Sequence, residues 1–171
     1  MPPEIHFDPE KVDFSRVIAD RSAIRKINPQ RFEFEQLDGV VVLDADHKIC
    51  VGYKDVSPSE FWARGHLPGF PLMPGVLMCE AAAQLCGYYI GALGLECGDF
   101  IGFGGMDNVR FRHPVFPGDR LVLVSKCIKY NRRQTVFSVQ GFVGSKMVYN
   151  ADIVGVPMNY PPGVTPPSAE S

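Results

Sequence analysis

The order of local signals along the chain predicts an α+β domain in which an antiparallel β-sheet wraps one long central helix. Three features point there: an apolar run punctuated as a helix between Pro74 and Gly94, a hairpin signature before it, and a series of alternating strand-like segments after it. One helix preceded by a hairpin and followed by antiparallel strands must bury its apolar surface against that sheet.

The helix is the strongest element. Pro74 suits the first helical position, where a missing N–H loses nothing, and Gly94 suits the position just past the end. Between them the chain is apolar almost all round, so it must be covered on nearly every side. Cys79, Ala81, Ala82, Ala83, Cys86, Gly87, Gly91 and Ala92 are small enough to let a sheet approach closely. Glu80 and Gln84 sit in mid-run, where a membrane helix tolerates charge least, so the segment reads as a buried helix and not as a membrane span.

Ahead of the helix, Val40 to Leu43, a polar stretch from Asp44 to Lys48, and Ile49, Val51 and Tyr53 form the hairpin signature over Gly39 to Val56. The segment Arg64 to Gly75 is dense in Gly and Pro. Prolines at 68, 71 and 74 fix φ and remove donors, which predicts an ordered, non-helical connector. After the helix, strands are expected at Met106–Arg112, Leu121–Tyr130, Thr135–Val143 and, past a Gly144-Ser145 turn, Lys146–Val156. Near the N-terminus, Asp8-Pro9 followed by Phe14, Val17 and Ile18 suggests a short amphipathic helix. The organisation expected is an N-terminal extension over 1–20, one domain over 21–156, and a Pro-rich mobile tail over 157–171.

A chain of 171 residues, 46% hydrophobic and 21% charged, has the length and composition of one globular domain. With 17 Lys/Arg against 19 Asp/Glu, the formal charge of −2 argues against a nucleic-acid binder, which needs strong positive charge to grip phosphates. Residues 105 to 133 are locally basic and 31 to 60 locally acidic, a pattern of solvated strand faces that can also steer an acidic partner. Cysteines at 50, 79, 86, 97 and 127 form no Cys-x-x-Cys pair and read as free thiols of a reducing compartment. With no secretory signal in the N-terminal residues, the cytoplasm is the expected location.

Chemistry concentrates on the helix and the connector before it. Glu80 and Gln84, four residues apart, share one helix face. Apolar surroundings favour a protonated carboxyl, as a general acid requires near neutral pH. The alternative is a buried Glu satisfied by Gln84 or by a strand. His66, flanked by Gly65 and Pro68 in the connector, is the candidate base; the other histidines, His6, His47 and His113, read as structural. Gly75 and Val76 open the helix, and their unpaired N–H groups at its positive end are candidates to hold an oxyanion, though every helix start has such groups. Gly102-Phe103-Gly104-Gly105 lacks the Lys-Ser/Thr of a phosphate loop. No metal-ligand spacing stands out.

The run Gly65-His-Leu-Pro-Gly-Phe-Pro-Leu-Met-Pro-Gly-Val-Leu-Met-Cys-Glu-Ala-Ala-Ala-Gln84 closely resembles the signature of the hot-dog-fold β-hydroxyacyl-acyl-carrier-protein dehydratases of the Z type. The likeness continues through Phe103 to Asp119 and covers roughly residues 24 to 156. It implies a hot-dog fold, no cofactor and no metal, an acyl carrier protein as substrate carrier, and a homodimer, often assembled as a trimer of dimers, in which His66 of one subunit faces Glu80 of the other. Glu at position 80, where the isomerising A-type relatives have Asp, favours plain dehydration. The expected reaction makes a trans-2-enoyl thioester from a (3R)-3-hydroxyacyl thioester in fatty-acid biosynthesis. In it His66 is the base, Glu80 the acid, Gly75 and Val76 the oxyanion donors, and Gln84 the orienter of Glu80. Leu67, Met73, Tyr88, Tyr89 and Phe103 are the candidates to line the acyl tunnel.

The sequence departs from the family pattern at Leu67, Trp62 and Ala63 beside the base, and at Gln30 and Glu33 upstream, where His and Pro are usual. A hot-dog thioesterase and a non-catalytic acyl-carrier-binding subunit are the alternative readings. Release of free thiol would mark the first, and tight carrier binding without turnover the second.

Overall fold

The computed structural model describes residues 3–170; the ends of the two extensions, residues 1–2 and 171, lie outside the described residues. The chain forms strands β1 (Ala19–Asp20), β2 (Gly39–Asp44), β3 (Ile49–Asp55), β4 (Phe100–Phe111), β5 (Arg120–Tyr130), β6 (Thr135–Val143) and β7 (Lys146–Met158). A short helix α1 (Arg21–Arg25) and the long helix α2 (Gly75–Ala92) complete the main elements. All seven strands join one antiparallel sheet in the order β1-β2-β3-β5-β6-β7-β4.

This is the wrapped-helix architecture the sequence predicts. At ~1.5 Å per residue the 18-residue α2 is about 27 Å long. It lies against β3, β5 and β7. Its buried side chains, among them Met78, Ala82, Leu85 and Ile90, pack with Leu123, Phe137, Val139 and Ile153 in one continuous core. Pro74 stands one position outside the helix, as its N-cap, so Gly75 is the first helical residue. At the other end Gly94 adopts φ +63°, the left-handed conformation that terminates helices.

Three expectations are corrected. The N-terminal segment makes only a single 3-10 turn, Pro9–Lys11, capped by Asp8. Instead of continuing as a helix, Phe7, Val12 and Phe14 spread over the outer face of the sheet, covering Val41, Val51, Val122, Val124 and Phe142. Burial of that second apolar cluster outweighs local helix propensity. Strand β4 begins at Phe100, not Met106, and takes in the glycine-rich run. A Cβ on Gly102 would lie 2.3 Å from Met158 Sδ and one on Gly104 2.5 Å from Val156, so β7 approaches too closely for side chains there. Finally, the Pro-rich tail is pinned at two points: Tyr160 packs on Phe100, and Arg31 donates twice to the Ser168 carbonyl.

Candidate active site

The connector that carries His66 is laced by backbone hydrogen bonds. His66 N–H donates to Trp62 O (2.8 Å), Leu72 N–H to His66 O (2.9 Å), and Met73 N–H to Val115 O (2.8 Å). Trp62 itself is buried in the core. His66 Nδ1 lies 2.9 Å from the Leu72 carbonyl. A carbonyl only accepts, so Nδ1 carries the proton and Nε2 is left with a free lone pair, the form a general base needs.

His66 lines an open, largely apolar cavity of about 500 Å³ together with Met73, Gly75, Val76, Phe111 and Arg112. The expected oxyanion donors therefore share the imidazole's cavity. Gly75 lies close to the Phe111 ring, which a Cβ would approach to 2.8 Å. His113, read from sequence as structural, also lines this cavity, an approach set by the end of β4 and visible in no local pattern.

The carboxyl is built separately. Gln84 Nε2 donates to Glu80 Oε1 at 2.8 Å, and its orientation is dictated from elsewhere. Its Oε1 accepts the Gln36 N–H at 2.9 Å, and its Nε2 also donates to the Phe34 carbonyl at 2.5 Å. The amide cannot flip without setting donor against donor, so it always offers N–H to Glu80. One carboxyl oxygen is thereby held as an acceptor. Glu80 is only half-buried within the chain, short of the enclosure expected of it. It lines a small cavity of about 50 Å³ with Gln30, Ile101, Phe103 and Thr135.

Glu80 and His66 thus occupy different cavities of the same subunit. Among the tunnel candidates, Met73 borders the His66 cavity and Phe103 the Glu80 cavity. Tyr88 and Tyr89 line neither; both are buried in the core, with Tyr89 edge-on to Phe137 at 5.5 Å. Leu67 is half-exposed and also lines neither. Packing had to place the tyrosines, since α2 is apolar on nearly every face and periodicity does not say which one borders a cavity.

The buried thiols are poor nucleophiles. Burial pushes Cys50, Cys79, Cys86 and Cys127 up from the ordinary thiol range, and all five cysteines are free. Among the described residues no three His, Cys, Asp or Glu gather into a group that could hold a metal ion, and no helix is long and apolar enough to cross a membrane.

The family model for the FabA-like domain matches residues 28–152. The 3-hydroxyacyl-[acyl-carrier-protein] dehydratase FabZ of Hydrogenobaculum is 42% identical over 120 residues, covering 69% of this chain and 79% of that protein. The chain belongs to the FabZ branch of the FabA-like family. The FabZ of Moorella thermoacetica agrees, 39% identical over 135 residues and covering 79% of this chain and 94% of its own. At the level of fold alone, the chain is similar to a structure of the ApeI:P dehydratase heterocomplex from Xenorhabdus doucetiae. That match has a TM-score of 0.68 at 14% identity, over 80% of this chain and 91% of that one. The PaaI protein of E. coli is a more distant neighbour, with a TM-score of 0.55 at 16% identity over 68% of this chain and 80% of its own. The fold of this FabZ-type chain is the hot-dog fold, its helix the core and its sheet the wrapping.

Proposed function

We propose that this FabZ-type dehydratase eliminates water from (3R)-3-hydroxyacyl-acyl-carrier-protein at a site shared by two subunits, His66 from one and Glu80 from the other. One observation carries the shared site: the two groups lie at opposite ends of a strand whose outer edge pairs with no other strand among the described residues. The Glu80 cavity includes Ile101 and Phe103 at the start of β4, and the His66 cavity includes Phe111 and Arg112 at its end. β4 is the last strand of the sheet, and it exposes Phe103, Met106 and Phe111. A long unpaired edge with apolar side chains is a template for pairing with another chain. Two β4 strands paired antiparallel about a two-fold set start against end, so each Glu80 cavity meets the partner's His66 cavity. The free β4 edge supports the homodimer reading.

Mechanistically, His66 Nε2 removes the α-proton and its electrons form the new double bond. The Gly75 and Val76 amides stabilise charge gathering on the thioester oxygen. Glu80, aligned by Gln84, protonates the 3-hydroxyl, which leaves as water with the C–O electron pair. Met73 and Phe103 border the acyl chain. The thioester is delivered by an acyl carrier protein in fatty-acid biosynthesis, and five unpaired thiols suit the reducing cytoplasm.

The test is complementation. His66→Ala and Glu80→Gln each remove a group worth about 10²- to 10⁴-fold and leave the protein nearly inactive. When the two variants are mixed and allowed to exchange subunits, half the dimers are mixed and each regains one intact site. Roughly a quarter of the wild-type activity is expected back. A mixture no more active than its components would refute the shared site.

A further inference from the structure

Four buried side-chain polar atoms have no hydrogen-bond partner among the described residues: Gln30 Oε1, Gln36 Oε1, Trp62 Nε1 and Tyr149 OH. Of these four residues, only Gln30 lines the small cavity that holds Glu80. An enclosed carbonyl oxygen with no donor costs stability, and such a group in a native fold asks for an explanation. The cavity of about 50 Å³ has room for a hydroxyl group and a few waters, by the measure that one water needs ~10–15 Å³ of such volume. Apart from Glu80, the polar side chains on its wall are Gln30 and Thr135.

The chemistry of elimination supplies the missing donor. For Glu80 to protonate the substrate's 3-hydroxyl, that oxygen must turn a lone pair toward the acid, and its own hydrogen then points elsewhere. Gln84 is not placed to serve: it does not line this cavity, and its carbonyl oxygen is turned toward the Gln36 N–H. We propose that Gln30 Oε1 is the acceptor that holds the substrate's 3-hydroxyl, and then the departing water, against Glu80. This rests on the dehydratase reading above and adds a residue that reads the hydroxyl itself. Proton and electron bookkeeping is unchanged: the oxygen leaves with its own hydrogen, still donated to Gln30, and with the proton from Glu80. A neutral amide suits the task, because it accepts without competing as a base for the proton of Glu80.

The experiment uses the full chain with Gln30→Met, a substitution of similar length, and Gln30→His, which retains an acceptor nitrogen. First, kcat is measured for (3R)-3-hydroxyacyl-acyl-carrier-protein. Then, on a His66→Ala background that does not consume substrate, affinity is compared for the 3-hydroxyacyl carrier and for the saturated acyl carrier of equal chain length. Gln30→Met is expected to lower kcat roughly tenfold and to erase about a tenfold preference for the hydroxylated ligand. It should leave affinity for the saturated ligand unchanged. Its melting temperature should hold or rise, since an unpaired buried carbonyl has been removed; a merely structural glutamine would show the reverse. Gln30→His is expected to retain the preference. Dehydration by the wild type together with an undiminished hydroxyl preference in Gln30→Met would overturn the assignment of Gln30 alone. Absence of enoyl product from the wild type would remove the dehydratase reading, and this inference with it.

Discussion

Replacing Gln84 with Met should separate the two tasks of one side chain. The amide ties α2 to the segment ahead of β2 through the Gln36 N–H and the Phe34 carbonyl, and it aligns Glu80 at 2.8 Å. Methionine has nearly the same length and fills the space, so the cavity term is small and the loss is polar. Gln36 is 1% exposed, so its N–H has no route to water and its orphaning costs about 1–3 kcal/mol. Phe34 is 62% exposed, and its carbonyl can turn to solvent at a fraction of that. The expected total is therefore about 1–4 kcal/mol, a fall in melting temperature of roughly 2–16 °C for a chain of this size. Glu80 survives but loses its orienting donor, so kcat should drop about 10- to 100-fold, less than on removal of the carboxyl itself. Thermal unfolding and enoyl absorbance on the same preparation decide it. A melting temperature within a degree of wild type would refute the pinning of Gln84, and unchanged kcat would refute its role in aligning the acid.

Further consequences can be checked alongside. Gly75→Ala places a Cβ 2.8 Å from the Phe111 ring and shifts that ring, which stacks on Tyr149 at 5.7 Å, within the His66 cavity; kcat should fall about 10- to 100-fold while the fold, read by circular dichroism, persists. Tyr88→Phe and Tyr89→Phe, both in the core, should leave the preferred acyl chain length unchanged in a substrate series. His6 anchors the N-terminal segment through Ser138 and Gln140, and burial, with Lys126 nearby, holds its imidazole below the usual 6.5. Between that lowered value and 6.5 the detached segment binds a proton that the docked one refuses. Docking is thus at full strength above about pH 6.5 and weakens as pH falls below it. Hydrogen exchange in residues 3–14 should quicken at pH 5.5 relative to 7.5, after correction for intrinsic rates, and His6→Asn should flatten that difference.

Much of this fold was legible in local patterns because its strongest elements are punctuated locally. Pro74 and Gly94 bracket α2 to within a residue or two, and Thr135–Val143 alternates clearly enough to be bounded correctly. The Glu80–Gln84 pairing needs only the helical repeat, one turn apart on one face. The His66 to Glu80 motif carried the family.

Other features came only with tertiary closure. The glycines of β4 read as a loop until β7 is laid beside them, and Phe7, Val12 and Phe14 have no visible destination until the outer sheet face exists. The groups that orient Gln84 lie 48 and 50 residues upstream, and Gln30 borders the Glu80 cavity from a similar distance along the chain. Periodicity reports which face of an element is apolar, because that depends on a repeat of a few residues. Which distant group stands opposite a given side chain depends on how the sheet closes around the helix, and no short-range repeat encodes that.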